Sequence, residues 1–171
     1  MNLALFDLDH TLLPLDSDHE FGEFLIRKGL ADGEVYRARN NAFYEQYCNG
    51  TLVLSDYIAF TTSTWRVLTA QEQAELQQAF MAEVVLPAIK PAAVELVERH
   101  RAQGDLLAIV TATNEFVTRP IADAFNVSDL LAVCLERDMS GRVTGAIAGV
   151  PSFREGKITR VEQWQIGRAH V

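Results

Sequence analysis

The chain has 171 residues and a formal net charge of −8, with 49% hydrophobic and 22% charged residues. Such a composition is typical of a folded chain with a proper core, and it argues against an intrinsically disordered protein. The acidic balance argues against a nucleic-acid partner, because phosphate backbones require clustered Lys and Arg side chains.

The first half of the chain predicts one strand followed by helices. The apolar run Leu3–Phe6 predicts a strand buried on both faces, as in a parallel sheet covered by helices. Four helices are expected next, each from an amphipathic pattern and a capping residue. Their predicted starts are Ser17 (a capping box with Glu20), Asp32, Ser55 or Asp56, and Thr69, and their predicted ends lie near Lys28, Asn49, Val67 and Val84.

The second half predicts an alternation of strands and helices. The expected elements are a helix over 92–103, a strand over 106–110, a helix over 116–125, a strand over 131–135, a hairpin over 136–147 and a helix over 158–164. This order predicts an α/β fold, a Rossmann-like doubly wound parallel sheet with a small β-hairpin. Residues 1–14 and 88–164 would form the core, and residues 15–87 an inserted helical cap.

Two aspartates, Asp7 and Asp9, follow the first predicted strand, at the end of the sheet where open α/β folds bind ligands. An ionised aspartate is a nucleophile toward phosphorus at neutral pH without an activating base. A second aspartate can protonate the leaving alkoxide and later take a proton from water. A phosphate dianion facing both requires a hard divalent cation, and carboxylate oxygens suit Mg²⁺. The alternative is a pair of helix-capping aspartates in an ordinary strand-to-helix turn.

The segment Asp7-x-Asp9-x-Thr11 resembles the first motif of the haloacid dehalogenase-like hydrolases. The resemblance implies that Asp7 is the nucleophile, with its carboxylate on Mg²⁺. It also implies that Asp9 is the acid and base, and that Asp9 binds Mg²⁺ through its backbone carbonyl. Thr11 is a candidate substrate-binding residue of the same motif.

Two later segments are similar to further motifs of this family. Thr111 ends an apolar strand, like the family's second-motif hydroxyl, which donates a hydrogen bond to the transferring phosphoryl group. Thr113 and Asn114 are close enough in sequence to be further substrate-binding candidates. Lys157 precedes a predicted helix and resembles the third-motif lysine, which places a positive charge beside the nucleophile and the phosphoryl oxygens.

The helical insertion resembles the type I cap of the phosphoserine phosphatase-like subfamily, subfamily IB. Such caps close over the sheet, exclude water and select the leaving group. In that subfamily an acidic residue and an arginine meet the substrate's amine and carboxylate. The candidates here are Asp16 or Glu20, and Arg37, Arg39 or Arg66. The resemblance implies a magnesium-dependent phosphatase that acts on a small phosphorylated metabolite, such as phosphoserine or histidinol phosphate.

The family's fourth motif, one or two aspartates after a further strand, has no counterpart among the residues that follow Lys157. The final helical pattern is predicted to end at Trp164, with 165–171 as a non-native tail. We therefore expect a chain truncated at its C-terminal side, with a weak Mg²⁺ site, doubtful activity and a first strand left at a sheet edge.

Three alternatives to this enzyme remain open at this stage. A catalytically silent binding module is one, because the predicted metal site is incomplete. A phosphotransferase or mutase of the same fold would share every motif named. A receiver domain also combines an aspartate, a hydroxyl residue and a lysine. It is disfavoured because receivers carry that aspartate well inside the chain and have no helical cap after the first strand.

The sequence also bears on location. The N-terminal segment has no basic stretch followed by a long apolar one, and no apolar run approaches the length of a membrane span. Cys48 and Cys134 lie far apart, as expected of buried thiols in a reducing compartment. We expect a cytoplasmic protein without a membrane partner, and the sequence does not indicate its oligomeric state.

Overall fold

The computed structural model describes residues 2–169 and contains two sheets. The larger sheet is parallel, and its strands lie in the order β1 (Leu3–Phe6), β2 (Leu106–Asn114), β3 (Asp129–Val133). The smaller sheet is an antiparallel hairpin of β4 (Leu135–Arg137) and β5 (Val143–Ile147). The predicted α/β class, with a parallel sheet and a small hairpin, is therefore confirmed.

Helices fill the long connection between β1 and β2. In chain order they are α1 (Ser17–Arg27), α2 (Gly33–Cys48), α3 (Leu54–Thr62), α4 (Ala70–Phe80), a wide turn at Met81–Val85, the short α5 (Leu86–Ala88) and α6 (Pro91–Ala102). Helix α7 (Glu115–Ala124) connects β2 to β3, and α8 (Glu155–Ala169) follows the hairpin. Within residues 2–169, no helix has the length and apolar character needed to cross a bilayer.

The start of α1 differs from the prediction. Its N-cap is Asp16, whose Oδ1 accepts hydrogen bonds from the backbone N–H groups of Asp18 (3.0 Å) and His19 (2.9 Å). The capping box predicted from Ser17 and Glu20 is wrong. By contrast, Thr69 and Glu72 form the capping box that was predicted for α4.

Two predicted helix ends are also wrong, and packing explains both. Helix α3 ends at Thr62 rather than near Val67, because the buried Trp65 turns into the core and its Nε1–H donates to the Thr61 carbonyl at 3.0 Å. Helix α8 continues beyond Trp164 to Ala169. Trp164 Nε1 donates to Asp129 at 3.0 Å, and Arg168 pairs with the same carboxylate. Residues 170 and 171 of the predicted tail lie outside the described residues.

Strand β1 is buried on one face only, which corrects the prediction of a strand buried on both. Ala4 and Phe6 are buried, and Phe6 meets His100 of α6 with ring centres 5.6 Å apart. Leu3 and Leu5 point to the opposite face and are 36% and 43% exposed. Within residues 2–169, β1 pairs with β2 alone, so it forms an edge of the sheet.

The prediction of two buried thiols is also wrong in part. Cys48, the last residue of α2, is exposed, whereas Cys134 is partly buried. Both are free cysteines, as predicted. Their thiols therefore add little to the core, which is built from aliphatic and aromatic side chains.

An aromatic cluster joins the helices after β1 to the helix after β2. Phe21 of α1 contacts Phe80 of α4 and Phe116 of α7, with ring centres 5.0 and 6.0 Å apart. Trp65 stacks on Phe116 at 4.0 Å and an interplanar angle of 17°. All four side chains are buried. The cluster therefore fixes α1, whose N-terminus lies beside Asp9, relative to the sheet.

We expect Trp65→Ala to lower the free energy of unfolding by about 3–5 kcal/mol, because it removes a large buried ring and leaves a cavity. Tyr44→Ala is the control, because this aromatic side chain is 66% exposed. It should change stability by less than about 0.5 kcal/mol. Urea unfolding of both variants measures the difference, and equal losses would contradict this description of the core.

Candidate active site

The loop after β1 carries the two aspartates. The chain forms one wide turn over Leu8–Leu12, closed by a hydrogen bond from Leu13 N–H to the Leu8 carbonyl at 3.0 Å. Three buried leucines, at positions 8, 12 and 13, anchor this turn in the core. Asp7 and Asp9 are therefore held at the carboxyl end of the sheet by the packing of their apolar neighbours.

Asp7 lies beside Lys157, which reaches it from the first turn of α8. The Nζ atom of Lys157 is 3.1 Å from Oδ1 of Asp7, although the two residues are 150 positions apart in sequence. The Asp7 side chain is 53% exposed and that of Lys157 is 35% exposed. The pair is thus open to solvent.

Asp9 lies deeper and is held from two directions. Its Oδ1 accepts a hydrogen bond from the backbone N–H of Ser17, at the start of α1, at 2.7 Å. Its Oδ2 accepts from the hydroxyls of Thr113 (3.0 Å) and Thr111 (3.3 Å). These threonines are two positions apart on β2, so their side chains share one side of the strand. The carboxylate therefore connects the helical insertion to the central strand.

Burial raises the pKa of Asp9 above its ordinary value, and the nearby charge of Asp16 raises it further. Hydrogen bonds from Ser17 and Thr113 act in the opposite direction, because they stabilise the ionised form. A raised pKa means that the carboxyl group holds its proton more tightly than an ordinary aspartate does, which suits a general acid.

A third carboxylate, Asp18, is the second residue of α1. The Tyr57 hydroxyl donates a hydrogen bond to Asp18 Oδ2 at 2.5 Å. Burial raises the pKa of Asp18 to about 7, the charges of Asp16 and Asp9 add to this effect, and the Tyr57 hydrogen bond opposes it. Asp18 is therefore a titrating group close to both Asp9 and Asp16.

The sequence prediction missed Asp18 and the backbone N–H of Ser17. Asp18 lies within the predicted capping box and was given no role of its own. A signal was present, however, because Asp18 precedes Phe21, Gly22 and Leu25 by three, four and seven positions. All three are buried, so the spacing places Asp18 on the buried side of α1. No sequence signal identifies the Ser17 N–H as a donor to Asp9.

The other polar residues predicted to belong to the site lie at different places in the structure, and only some of them are close to Asp7 and Asp9. Thr111 and Thr113 bind Asp9, whereas Asn114 is the buried N-cap of α7 and accepts from Val117 N–H at 3.3 Å. Asp16 caps α1 and is partly buried, and Glu20 is also partly buried on α1. Thr11 is exposed on the wide turn after β1. The structure thus brings Asp7, Asp9, Thr111, Thr113 and Lys157 together.

The three candidate arginines contact groups outside this loop. Arg66 donates to the Thr144 carbonyl on the hairpin at 3.0 Å. Arg37 forms a two-point ion pair with Glu23, at 2.8 and 2.6 Å. The Arg39 guanidinium lies 5.3 Å from the ring centre of Phe60. A substrate-binding role for any of them remains a prediction.

The residues around Asp7 can be tested against the implied Mg²⁺ ion. The half-exposed Asp7 carboxylate and the Asp9 backbone carbonyl are oxygen donors of the kind that Mg²⁺ prefers. Both carboxylate oxygens of Asp9 already accept hydrogen bonds. Across residues 2–169, no group of three or more His, Cys, Asp or Glu side chains is arranged to hold a metal ion. The donor set fits a weakly held Mg²⁺ that keeps most of its water ligands.

Comparison with known proteins identifies the family. The sequence profile of the haloacid dehalogenase-like hydrolases matches residues 4–170. The chain belongs to this family. It is 40% identical over 170 residues to a histidinol-phosphatase from Neisseria meningitidis serogroup C (strain 8013), a match that covers 99% of this chain and 77% of that protein.

Two solved structures share the fold of this chain. A protein of unknown function from Bordetella pertussis Tohama I is 48% identical to this hydrolase, with a TM-score of 0.89 and coverage of 98% of this chain and 75% of that chain. A phosphoserine phosphohydrolase-like protein from Francisella tularensis subsp. tularensis SCHU S4 shares the fold at 16% identity and a TM-score of 0.67. That match covers 96% of this chain and 74% of the other. The predicted family resemblance is confirmed.

The raised pKa of Asp18 predicts a pH-dependent stability difference. The folded state retains the Asp18 proton up to about pH 7, whereas the unfolded chain loses it near its ordinary pKa of 3.8. The stabilisation present at low pH is therefore lost as pH rises through that window. We expect Asp18→Asn to be more stable than wild type by on the order of 1 kcal/mol or more above the window, and equally stable below it.

Urea unfolding over this pH range measures the effect. Asp56→Asn is the control, because it makes the same chemical change at an exposed position in the first turn of α3. Its effect should be less than about 0.5 kcal/mol throughout. A difference between Asp18→Asn and wild type that does not vary with pH would contradict the burial of this carboxyl group.

Proposed function

We propose that this hydrolase is a magnesium-dependent phosphomonoesterase that acts through an aspartyl-phosphate on Asp7. Family membership and the similarity to a histidinol-phosphatase support a phosphatase. The observation that carries the proposal is the contrast between two nearby aspartates. Asp7 is open to solvent beside Lys157, whereas Asp9 is held by three donors and has a raised pKa. Different surroundings give two carboxyl groups different roles in one reaction.

In the first step, a carboxylate oxygen of Asp7 attacks the phosphorus atom of the substrate. The bond between phosphorus and the ester oxygen breaks, and Asp9 gives its proton to the departing oxygen, so that an alcohol leaves. Lys157, at 3.1 Å from Asp7, offsets the negative charge that gathers on the nucleophile and the phosphoryl oxygens.

In the second step, the ionised Asp9 takes a proton from water. The water oxygen forms a bond to phosphorus and the bond from phosphorus to Asp7 breaks, which releases inorganic phosphate and restores Asp7. Asp9 ends the cycle protonated, as it began. A carboxyl group whose pKa is raised by burial can serve first as an acid and then as a base.

Asp7 and the backbone carbonyl of Asp9 are the groups that would hold Mg²⁺. A bound Mg²⁺ would offset the negative charge of the phosphate and of Asp7. The hydroxyls of Thr111 and Thr113 keep Asp9 in place from β2, while the Ser17 N–H fixes it from α1. We propose a small phosphorylated metabolite as the substrate, of the phosphoserine or histidinol phosphate kind.

We expect Asp7→Asn to lower kcat for p-nitrophenyl phosphate in the presence of Mg²⁺ by about a thousandfold or more, because the amide is not a nucleophile. Asp123→Asn is the matched control, because Asp123 is exposed on α7 and pairs only with Arg119 among the ion pairs described. It should retain wild-type activity. Residual Asp7→Asn activity within about tenfold of wild type would refute the nucleophile assignment.

Thr113→Val tests how Asp9 is positioned. The change removes one hydroxyl donor to Asp9 and keeps the side-chain shape, so kcat should fall by about tenfold with little change in KM. Thr113→Ser should restore kcat. Thr118→Val is the control, because this buried threonine donates to the Asn114 carbonyl rather than to Asp9. If the two valine variants have the same kcat, the Thr113 hydroxyl does not position Asp9.

A further inference from the structure

The loop that leads into α8 touches the helical insertion shortly before it delivers Lys157. The guanidinium of Arg154 donates a hydrogen bond to the carbonyl of Gly50, just after α2, at 3.2 Å. The ring of Phe153 lies 6.1 Å, centre to centre, from the ring of Tyr47 in the last turn of α2. Arg154 and Gly50 are 104 positions apart in sequence. These two contacts therefore join the C-terminal end of α2 to a distant loop.

The same loop is tied by its backbone to the first turn of α8. The N–H of Lys157 donates to the Arg154 carbonyl at 3.0 Å, and the N–H of Gly156 donates to the Phe153 carbonyl at 2.9 Å. A Cβ atom added to Gly156 would overlap the carbonyl oxygen of Pro151, so the loop and the helix are in backbone contact. Because the turn is this tight, a displacement of Arg154 also displaces the backbone of Lys157.

The backbone of Arg154 is itself unusual. Its φ angle is +50°, in the left-handed region that glycine occupies readily and that costs energy for a residue with a side chain. Such a conformation persists when the surrounding contacts compensate for it. The Arg154 side chain makes two contacts that can do so, with the Gly50 carbonyl and with the ring of Phe153, whose centre is 4.9 Å from the guanidinium carbon. The side chain is thus used to hold this loop.

The last link in this series of contacts reaches the reacting group. Lys157 is partly exposed, and its long side chain has many rotamers, so the position of its backbone decides whether Nζ can reach Asp7. In the structure Nζ lies 3.1 Å from Asp7 Oδ1. Hydrogen bonds and one ion pair therefore run without a gap from the end of α2, through Arg154 and Lys157, to Asp7.

We propose that Arg154 is a positioning residue for the reaction, which, together with Phe153 and the C-terminal turn of α2, holds Lys157 beside Asp7. The proposal rests on the proposed function, since it concerns the lysine that offsets charge on the nucleophile. Arg154 acts through Lys157 and has no contact with the phosphoryl group. The position of α2 against this loop thereby controls whether the nucleophile has its cation.

A double-mutant cycle tests whether Arg154 acts through Lys157. Arg154→Ala should lower kcat for p-nitrophenyl phosphate by about three- to tenfold, the range expected from the loss of one exposed hydrogen bond and a ring contact. In the Lys157→Ala background the same change should alter kcat by less than about twofold, because the group through which it acts is gone. The same loss in both backgrounds would overturn the proposal.

Two further arginine variants separate positioning from a general loss of structure. Arg154→Lys keeps a cationic donor for the Gly50 carbonyl, so kcat should return to within about twofold of wild type. Arg137→Ala is the matched control, because this exposed arginine also donates to a glycine carbonyl, that of Gly141 within the hairpin, at 3.0 Å. It should leave kcat unchanged within about twofold. Equal losses for Arg154→Ala and Arg137→Ala would contradict a specific role for Arg154.

Hydrogen exchange tests the contact with α2 without any catalysis. In Tyr47→Ala, which removes the ring that meets Phe153, the amides of Gly156 and Lys157 should exchange at least about threefold faster than in wild type. Tyr44→Ala is the control, because this exposed tyrosine of the same helix meets no aromatic ring among residues 2–169. Unchanged exchange in both Tyr47→Ala and Arg154→Ala would overturn the proposal.

The two kinds of measurement also separate this proposal from the proposed function. If wild type does not hydrolyse p-nitrophenyl phosphate with Mg²⁺, the phosphatase assignment fails, and the exchange rates still decide whether α2 orders the loop before Lys157. If wild type is active and Arg154→Ala retains its full kcat, the positioning role is refuted while the phosphatase assignment stands.

Discussion

The site depends on the partly buried carboxylate of Asp9. A carboxylate removed from water is costly unless donors surround it. Here one donor comes from the N-terminus of α1 and two come from β2. The same hydrogen bonds that offset the cost of burial also fix the helical insertion against the sheet. These hydrogen bonds to Asp9, a reacting group, therefore set the position of α1 and of the helices packed against it.

This arrangement explains how two aspartates separated by one residue can do different chemistry. The loop holds Asp7 in solvent beside Lys157 and turns Asp9 inward toward β2. Burial then raises the pKa of Asp9. The aromatic cluster of Phe21, Trp65, Phe80 and Phe116 keeps α1 in register, so that the Ser17 N–H stays within reach of Asp9. The aromatic cluster, although it lies away from the loop after β1, thus helps to set the hydrogen bonds and the burial of Asp9.

The sequence predicted the features that depend on residues close together in the chain. A strand followed by Asp7 and Asp9, a strand ending in Thr111, and Lys157 before a helix each have a short-range pattern, and the structure brings these residues together. Features decided by distant contacts were not predictable in the same way. The end of α3 depends on Trp65 packing against Phe116, which periodicity within α3 does not reveal.

The cap of α1 shows the same limit. Ser17 looked like the capping residue, but its N–H serves Asp9, and Asp16 takes the capping role. Helical periodicity also leaves undecided which neighbour an arginine meets, so Arg66 was a candidate for the site although its partner is the Thr144 carbonyl.

The most direct test of the account is mass spectrometry of the acid-quenched enzyme during turnover with Mg²⁺. We predict a phosphoryl group on the carboxylate of Asp7. Turnover with no phosphorylated carboxylate, or with the group on another residue, would contradict it.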